Sequence, residues 1–311
     1  MNDPPAIAPV SWVRHAPWSK WLTQVLRTRQ PAALVLSLPR SGSSWVGESL
    51  GCATDALYLR EPVTQSDHLF HELGTVFAID RPDLDARYER SASKAYAGWP
   101  DFDPGIVRFP ASWALTRRRS RRVVIKEVNP LACGWHIERY APRIVLLVRH
   151  PAAVALSWQR KGWLTPDEQS WATNGELQGR ALRAALEALA PYEAQRVVVY
   201  EDLCADPIGS FTSLYAFAGL TWEGRAHRFI SERMHRTDEG NTWNTSRNSQ
   251  EMIHSWRRHV VPAHVRALRE AFGEFNLPWY RKDRDWESDS GSPRTIGSRR
   301  TERRDDVRRT G

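Results

Sequence analysis

Four short apolar runs, each followed by a helical pattern, constrain the fold of this chain more than any other feature. They lie at 33–38, 122–126, 143–148 and 196–200. Because they are short and rich in Val, Ile and Leu, they are typical of strands buried on both faces. Strands that alternate with helices favour a mostly parallel sheet, whose ligands lie beyond the carboxyl ends of the strands. We therefore predict an α/β fold, with one central parallel sheet flanked by helices.

The two ends of the chain differ in composition from this middle part. Residues 1–31 contain three tryptophans and are predicted to form an N-terminal arm over the edge of the core. Residues 287–311 contain only two aliphatic side chains among many charged ones, which predicts a disordered charged tail. Residues 32–286 are predicted to form a single domain.

Charge and cysteine content limit the classes of function. The chain has 44 Lys and Arg against 36 Asp and Glu, a net charge of +8 that favours anionic partners. Its three cysteines form no CxxC pair, so neither disulfides nor a zinc site are expected. No window approaches the ~20 apolar residues of a membrane span, and no signal peptide is evident. We expect a cytoplasmic protein without a membrane span; oligomeric state is not encoded in any feature that we can read.

A basic run just before the second strand is a separate feature. Arg117 to Arg122 holds five arginines in six positions and is expected to be a solvated loop, with a patch for an acidic acceptor or nucleic acid as the alternative. Nucleic-acid binding is not expected, because the chain has neither interleaved aromatics nor a recognised nucleic-acid module.

The segment between the first strand and its helix is suited to binding a phosphate. It reads Pro39-Arg40-Ser41-Gly42-Ser43-Ser44-Trp45. Gly42 allows close backbone approach, the serines add hydroxyl donors, and Arg40 adds positive charge at a helix N-terminus. The segment lacks the GxxxxGK[ST] pattern of nucleoside triphosphatases, so a kinase is the second choice.

Two later segments repeat the arrangement of a strand followed by polar residues. Arg149 ends the third run, and Ser157 lies eight residues further on, about two turns into a helix, where both could hold one phosphate. Tyr200 ends the fourth run and opens the segment Tyr200-Glu201-Asp202-Leu203.

Together these segments resemble the sulfotransferase superfamily. The Arg-Ser-Gly-Ser-Ser loop is similar to the 5′-phosphosulfate loop of carbohydrate sulfotransferases, and the Arg149/Ser157 pair is similar to the family's 3′-phosphate element. The resemblance implies a P-loop-like sulfotransferase fold and the donor 3′-phosphoadenosine-5′-phosphosulfate (PAPS), with PAP as product and no metal. It also implies that Tyr200 lies near the adenosine and that Trp45 stacks on the adenine, for which core packing is the alternative. Arg247 is carried over as a residue of the late loop that closes over the 3′-phosphate.

The resemblance also suggests the catalytic residues. Lys126 matches the lysine of the family's Lys-x-His segment, where it could stabilise the leaving phosphate, but Val128 holds the place of the histidine. The base is therefore expected elsewhere, and Glu61 resembles the glutamate of the family's Glu-Pro segment. Burial could raise the pKa of such a carboxylate towards the working pH. The competing candidates for the base are Glu127, His68 and His71.

The resemblance implies a function but no acceptor. We expect transfer of the sulfuryl group of PAPS to a hydroxyl or amine of a small-molecule, glycan or lipid acceptor. The alternatives are a kinase-like phosphotransferase and a non-catalytic adaptor that binds anions through the arginine run.

Overall fold

The computed structural model describes residues 28–65, 69–99, 105–109, 118–234 and 253–288. Within them a five-stranded parallel sheet has the order β2-β3-β1-β4-β5. The strands are β1 (Ala33–Ser37), β2 (Ala56–Arg60), β3 (Arg122–Glu127), β4 (Arg143–Val148) and β5 (Gln195–Val199). The predicted α/β fold with a central parallel sheet is thereby confirmed.

Ten helices of the described residues surround the sheet. They are α1 (Ser43–Gly51), α2 (Leu69–Leu73), α3 (Pro82–Tyr96), α4 (Cys133–Tyr140), α5 (Pro151–Arg160), α6 (Glu168–Leu189), α7 (Tyr200–Ala205), α8 (Pro207–Ala218), α9 (Gly224–Met234) and α10 (Pro262–Gly273). None of them combines the length and the apolar character that a bilayer crossing needs. Short 3-10 turns occur at Arg118–Ser120, Pro130–Ala132, Ser255–Arg258 and Asp283–Asp285.

The sheet separates two apolar cores because side chains alternate along each strand. Leu34 and Leu36 of β1 face one core, with α3, α4, α5, α6 and α10. Ala33 and Val35 face the other, with α1, α7, α8 and α9. All of β1 is buried, as expected of a strand covered on both faces.

The position of β1 decides where ligands can bind. It pairs with β3 on one side, Val35 opposite Lys126, and with β4 on the other, Ser37 opposite Leu147. The chain moves from β1 to one side of the sheet and later to the other, so the loops after β1 and β4 are neighbours at the carboxyl edge. A crevice at such a switch point is where open α/β sheets bind their ligands.

The structure differs from the sequence prediction in several elements. It adds β2, which the sequence did not indicate as a strand, and it begins α7 at Tyr200, which was predicted to end a strand. The arginine run is not simply solvated: Arg118 is 2% and Arg122 is 5% exposed. Burial lowers the pKa of Arg118 to about 10, and its guanidinium lies 4.3 Å from the Trp99 ring centroid.

The domain limits stay predictions. Most of the predicted arm and the tail from residue 289 onward lie outside the described residues. At the predicted boundary Trp286 is buried, and its Nε1 donates to the Tyr280 carbonyl over 2.7 Å.

Candidate functional site

The loop after β1 has a backbone shape that few residues adopt. Gly42, the N-cap of α1, has φ 91°, and Arg40 has φ 71°. A Cβ at Gly42 would overlap the ring of Tyr200, so only glycine fits between loop and ring. No side chain caps the N-terminus of α1, and its first turn holds no acidic residue. Such a turn can receive an anion.

Residues far apart in the sequence hold this loop in place. Arg40 donates from Nε to Ser157 Oγ over 2.9 Å. Trp158 donates from Nε1 to the Pro39 carbonyl over 3.0 Å. Both contacts come from α5, so the second predicted segment supports the first. Trp158 was missed by sequence reasoning, although it directly follows Ser157.

Arg149 completes the junction between the two segments. Its Nη1 donates to the carbonyl of Arg40 over 3.1 Å, and its guanidinium lies 4.5 Å from the centroid of the Tyr200 ring. Its Nε is buried and has no hydrogen-bond partner among the described residues. A buried charged donor without a partner is unusual and fits a site that receives a ligand acceptor.

Tyr200 and Trp45 are the two aromatic residues that the sequence analysis places near the adenosine of the donor. Both are buried, 7% and 6% exposed, and their ring centroids are 6.3 Å apart at 76°. The ring centroids of Trp45 and Phe211 are 5.2 Å apart in an edge-to-face arrangement, and Trp45 belongs to one of the two apolar cores. Its stacking on an adenine therefore stays a prediction, as does the role of Tyr200.

The serines of the loop lie at different depths. Ser41 is 1% and Ser43 is 2% exposed, while Ser44 is partly exposed on α1. The Ser41 backbone N–H donates to the Leu38 carbonyl over 3.3 Å, which closes the turn. Arg247 and His68 lie outside the described residues.

Glu61 and Lys126 meet at the ends of β2 and β3. The Lys126 ammonium contacts Glu61 Oε1 in a hydrogen-bonded ion pair. The Glu61 backbone N–H donates to the Lys126 carbonyl over 2.6 Å, and Gln65 Nε2 donates to Glu61 Oε2 over 2.9 Å. Glu61 has φ 50°, a conformation that costs ~1–3 kcal/mol and is frequent at functional sites. Gln65 was missed by the sequence analysis, because residues 61–65 form a turn rather than a helix and the spacing alone gave no signal for this contact.

The pKa of Glu61 is lowered, against the expectation from burial. Burial of its carboxylate acts to raise the pKa, but the charge of Lys126, the hydrogen bonds from Lys126 and Gln65, and the charge of Arg60 outweigh it. The direction therefore depends on Lys126. While the ion pair is intact, Glu61 is a weaker base than an isolated carboxylate.

The competing bases are placed differently. Glu127 is fully buried, which raises its pKa to about 7, and its Oε1 accepts from the Val63 backbone N–H over 2.7 Å. Thr64 donates to the same carboxylate. These bonds hold the 63–64 segment and occupy the carboxylate. His71 is exposed on α2.

Another residue next to Arg149 is fixed rather than reactive. His150 caps α5, its Nδ1 accepting from the Ala152 backbone N–H over 3.2 Å, and its ring stacks on Trp256 at 4.4 Å. Burial lowers its pKa to about 3, so the ring is neutral. Glu201 accepts from the His150 backbone N–H over 3.0 Å, which joins the start of α7 to the Arg149 loop.

The fold and these contacts define the class: an α/β protein with a central parallel sheet, in which the loop after β1 is held by Arg149, which follows β4, and packs against Tyr200 at the start of α7. Residues 31–224 match the family model described as "Sulfotransferase family". The match covers more than half of the chain, which belongs to the sulfotransferase family and is a sulfotransferase enzyme.

Curated relatives are carbohydrate sulfotransferases. Human carbohydrate sulfotransferase 6 is 26% identical, over 80% of this chain and 80% of its own length. Mouse carbohydrate sulfotransferase 5 is 28% identical, over 77% of this chain and 78% of its own. Family membership decides against the kinase-like and adaptor alternatives.

Similar solved structures include two sulfotransferases. The sulfotransferase domain from the Synechococcus PCC 7002 olefin synthase has a TM-score of 0.49 and 20% identity, covering 81% of this chain and 96% of that domain. Mouse sulfotransferase SULT7A1, solved in complex with PAP, has a TM-score of 0.41 and 15% identity, covering 86% of this chain and 92% of that chain.

Proposed function

We propose that this enzyme transfers the sulfuryl group of PAPS, in line and without a metal, to a hydroxyl or amine of an acceptor. The observation that carries the proposal is the junction of the Arg40–Gly42 loop with Arg149, Ser157 and Tyr200. It brings together two arginines, a helix N-terminus and a buried guanidinium nitrogen that has no hydrogen-bond partner in the part of the chain that the structure describes. These are the groups that a ligand with two separate phosphate groups requires.

The residues of the loop fit PAPS by their chemistry. Arg40, the serines and the backbone at Gly42 would hold the 5′-phosphosulfate, and Arg149 with Ser157 would hold the 3′-phosphate. PAPS supplies the sulfuryl group: a bond forms between the acceptor oxygen or nitrogen and sulfur, and the bond from sulfur to the 5′-phosphate oxygen breaks. The acceptor proton has to leave, and Glu61 is the residue that we assign to take it.

Lys126 is proposed to interact with two negatively charged groups, the Glu61 carboxylate and the leaving phosphate. In the structure it contacts Glu61 and lowers the pKa of that carboxylate. Charge that develops on the leaving phosphate would attract the same ammonium. As Lys126 turns towards it, the charge of Lys126 no longer offsets the effect of burial on Glu61, and the carboxylate becomes a stronger base. The pair thus couples stabilisation of the leaving group to proton removal.

The carbohydrate sulfotransferase relatives favour a glycan acceptor over a lipid or another small molecule.

Among the described residues no group of three or more His, Cys, Asp and Glu side chains is arranged to hold a metal. Cys52, Cys133 and Cys204 are free and buried, and the cytoplasmic location stays a prediction.

The experiment that tests the proposal is incubation with labelled PAPS and an extract of the native cell, with mass spectrometry of the product. Transfer of the label should persist in EDTA. In thermal shift assays PAP should stabilise the protein more than ATP at equal concentration. A preference for ATP, or transfer that is lost with EDTA, would contradict the proposal.

A further inference from the structure

A second group of charged side chains lies beside α1, next to the Lys126–Glu61 pair. Glu48 of α1 is 7% exposed, and it binds Arg108 at 3.6 Å and Arg233 at 3.4 Å. Arg60 precedes Glu61 and is paired in register with Lys126 on the neighbouring strand. The Glu48 carboxylate thus holds Arg108 and Arg233 in place. The third arginine of this cluster, Arg60, adjoins the proposed base Glu61.

Arg108 and Arg60 keep donors that Glu48 does not use. The side chain of Arg108 is 44% exposed. Arg60 Nε is buried without a hydrogen-bond partner among the described residues. Since a guanidinium carries five N–H donors in a planar fork, the group retains the capacity to bind a carboxylate or sulfate.

The hydroxyl of Tyr58 is a second buried polar group beside these arginines. Tyr58 is 0% exposed, and its hydroxyl has no hydrogen-bond partner among the described residues. It lies 2.7 Å from the position that a Cβ on Gly47 would take, and the Cβ of Lys126 lies 3.1 Å from the same position. The hydroxyl is therefore held between α1 and the base of the Lys126 side chain. A buried hydroxyl without a partner is uncommon and requires an explanation.

The charged groups around this hydroxyl are those of the cluster. Burial raises the pKa of Tyr58 well above its ordinary value; Glu48 and Glu61 raise it further, while Arg60 and Arg108 act in the opposite direction. The hydroxyl thus lies within electrostatic range of both the cluster and the proposed base.

The short segment 106–109, which carries Arg108, is held against β2. Val107 forms an antiparallel bridge with Leu59, and the Arg60 backbone N–H donates to the Ile106 carbonyl over 2.8 Å. Phe109 then lies 6.1 Å from the Tyr58 ring and 6.0 Å from the Phe229 ring. The same short segment therefore carries both the Phe109 ring and the donors of Arg108.

From this arrangement we infer that Arg60 and Arg108, with the Tyr58 hydroxyl, bind an anionic group on the acceptor, while Glu48 holds Arg108 and Arg233 in place. The inference rests on the proposed function and adds the acceptor class: a molecule that already carries a carboxylate or a sulfate near the hydroxyl to be modified.

The test uses two pairs of p-nitrophenyl glycosides and calorimetry. The β-glucuronide is compared with the β-glucoside, and the 6-sulfated β-galactoside with the unsulfated one, so that the two pairs separate carboxylate from sulfate. Each is titrated into the full-length protein with and without PAP. The variants are Arg60→Gln and Arg108→Gln. Arg228→Gln, an exposed arginine on the same helix as Arg233, is the matched control.

We expect at least one charged glycoside to bind about tenfold more tightly than its neutral partner, since one charge-assisted contact has about that worth. This preference should fall to about twofold or less in Arg60→Gln and Arg108→Gln and persist in Arg228→Gln. Equal binding within both pairs, no measurable binding of the charged members, or a preference that survives both substitutions would overturn the inference. Such results would show that the cluster only stabilises the fold.

The PAP-free titrations separate this inference from the proposed function. If PAP fails to bind while the charged glycoside is still preferred, the donor assignment has failed and the anion subsite stands. If PAP binds and no preference for a charged glycoside is found, the donor assignment stands and the anion subsite has failed. Unchanged circular dichroism of the variants verifies that they are folded.

Discussion

Arg149 donates a hydrogen bond from Nη1 to the backbone carbonyl of Arg40 over 3.1 Å, across 109 residues of sequence. The bond joins the loop after β1 to the end of β4, two strands that are neighbours in the sheet. Through this bond, Arg149 stabilises the conformation of the loop that contains Arg40. Loss of Arg149 should therefore affect both proposed phosphate sites, but unequally.

The first prediction concerns Arg149→Ala. Loss of a charge-assisted phosphate contact should cost about 1.5–3 kcal/mol, a tenfold or greater loss of PAP affinity. Adenosine-5′-phosphosulfate lacks the 3′-phosphate and should be affected much less. Calorimetry with both ligands measures the difference, and Arg183→Ala, which removes an exposed arginine paired with Glu187 on α6, is the control. Equal losses for both ligands would remove Arg149 from the 3′-phosphate site.

The second prediction concerns the base. Glu61→Gln should lower turnover by roughly 10²–10⁴, because a base acts mainly in the transition state, while PAP affinity stays almost unchanged. Glu127→Gln should instead lower the melting temperature, because the amide NH2 that replaces one carboxylate oxygen cannot accept the hydrogen bonds that Thr64 donates to Oε2. Turnover, PAP binding and thermal melts of both variants decide the matter. An active Glu61→Gln beside an inactive Glu127→Gln or His71→Ala would transfer the role to another residue.

A third prediction follows from the ion pair. Lys126→Met removes the charge that lowers the pKa of Glu61, so burial should then raise that pKa. Because the base acts when deprotonated, the acidic limb of the pH profile of kcat/KM should move to higher pH. Lower turnover is expected as well, but only the change in pH tests the coupling. Lys94→Met, an exposed lysine of α3, is the control. An acidic limb that stays in place would show that Glu61 is not the titrating base.

Gly42→Ala is the fourth prediction. The new methyl would overlap the Tyr200 ring, and Gly42 has φ 91°. Such overpacking typically costs ~1–3 kcal/mol, and the distorted loop should also bind PAP more weakly. Gly273→Ala near the end of α10 meets no atom within 4 Å and should be neutral or slightly stabilising. Denaturant unfolding and PAP titration compare the two variants, and similar behaviour of both would contradict the assigned role of Gly42.

The fifth prediction concerns acid stability. His136 is fully buried between the hydroxyls of Tyr88 and Tyr96, and burial lowers its pKa to about 3, as for His150. The unfolded chain binds more protons than the folded protein below an ordinary pKa of about 6.5. This contribution to stability is therefore present above pH ~6.5 and is lost as pH falls towards 3, at up to about 1.4 kcal/mol per group and pH unit. Denaturant unfolding at several pH values should give a shallower slope for His136→Gln, and an unchanged slope would contradict the assignment.

The sequence alone determined the fold class, because alternation of short apolar runs with helical patterns leaves few arrangements other than a parallel sheet. It also determined the Arg40–Trp45 loop and the Arg149/Ser157 spacing, which are local patterns. It did not indicate β2, whose residues Ala56-Leu57-Tyr58-Leu59 include no β-branched side chain and suit a helix equally well.

Only the tertiary structure decided which of these segments meet. The placement of β1 between β3 and β4 depends on the packing of helices on both faces of the sheet, and it brings Arg40 to Arg149. The pairing of β2 with β3 sets Arg60 opposite Lys126 and so brings Lys126 to Glu61. For that reason the pKa of Glu61 is lowered, where burial alone would raise it: a pKa depends on charges in space, and their distances are set by strand order rather than by sequence spacing.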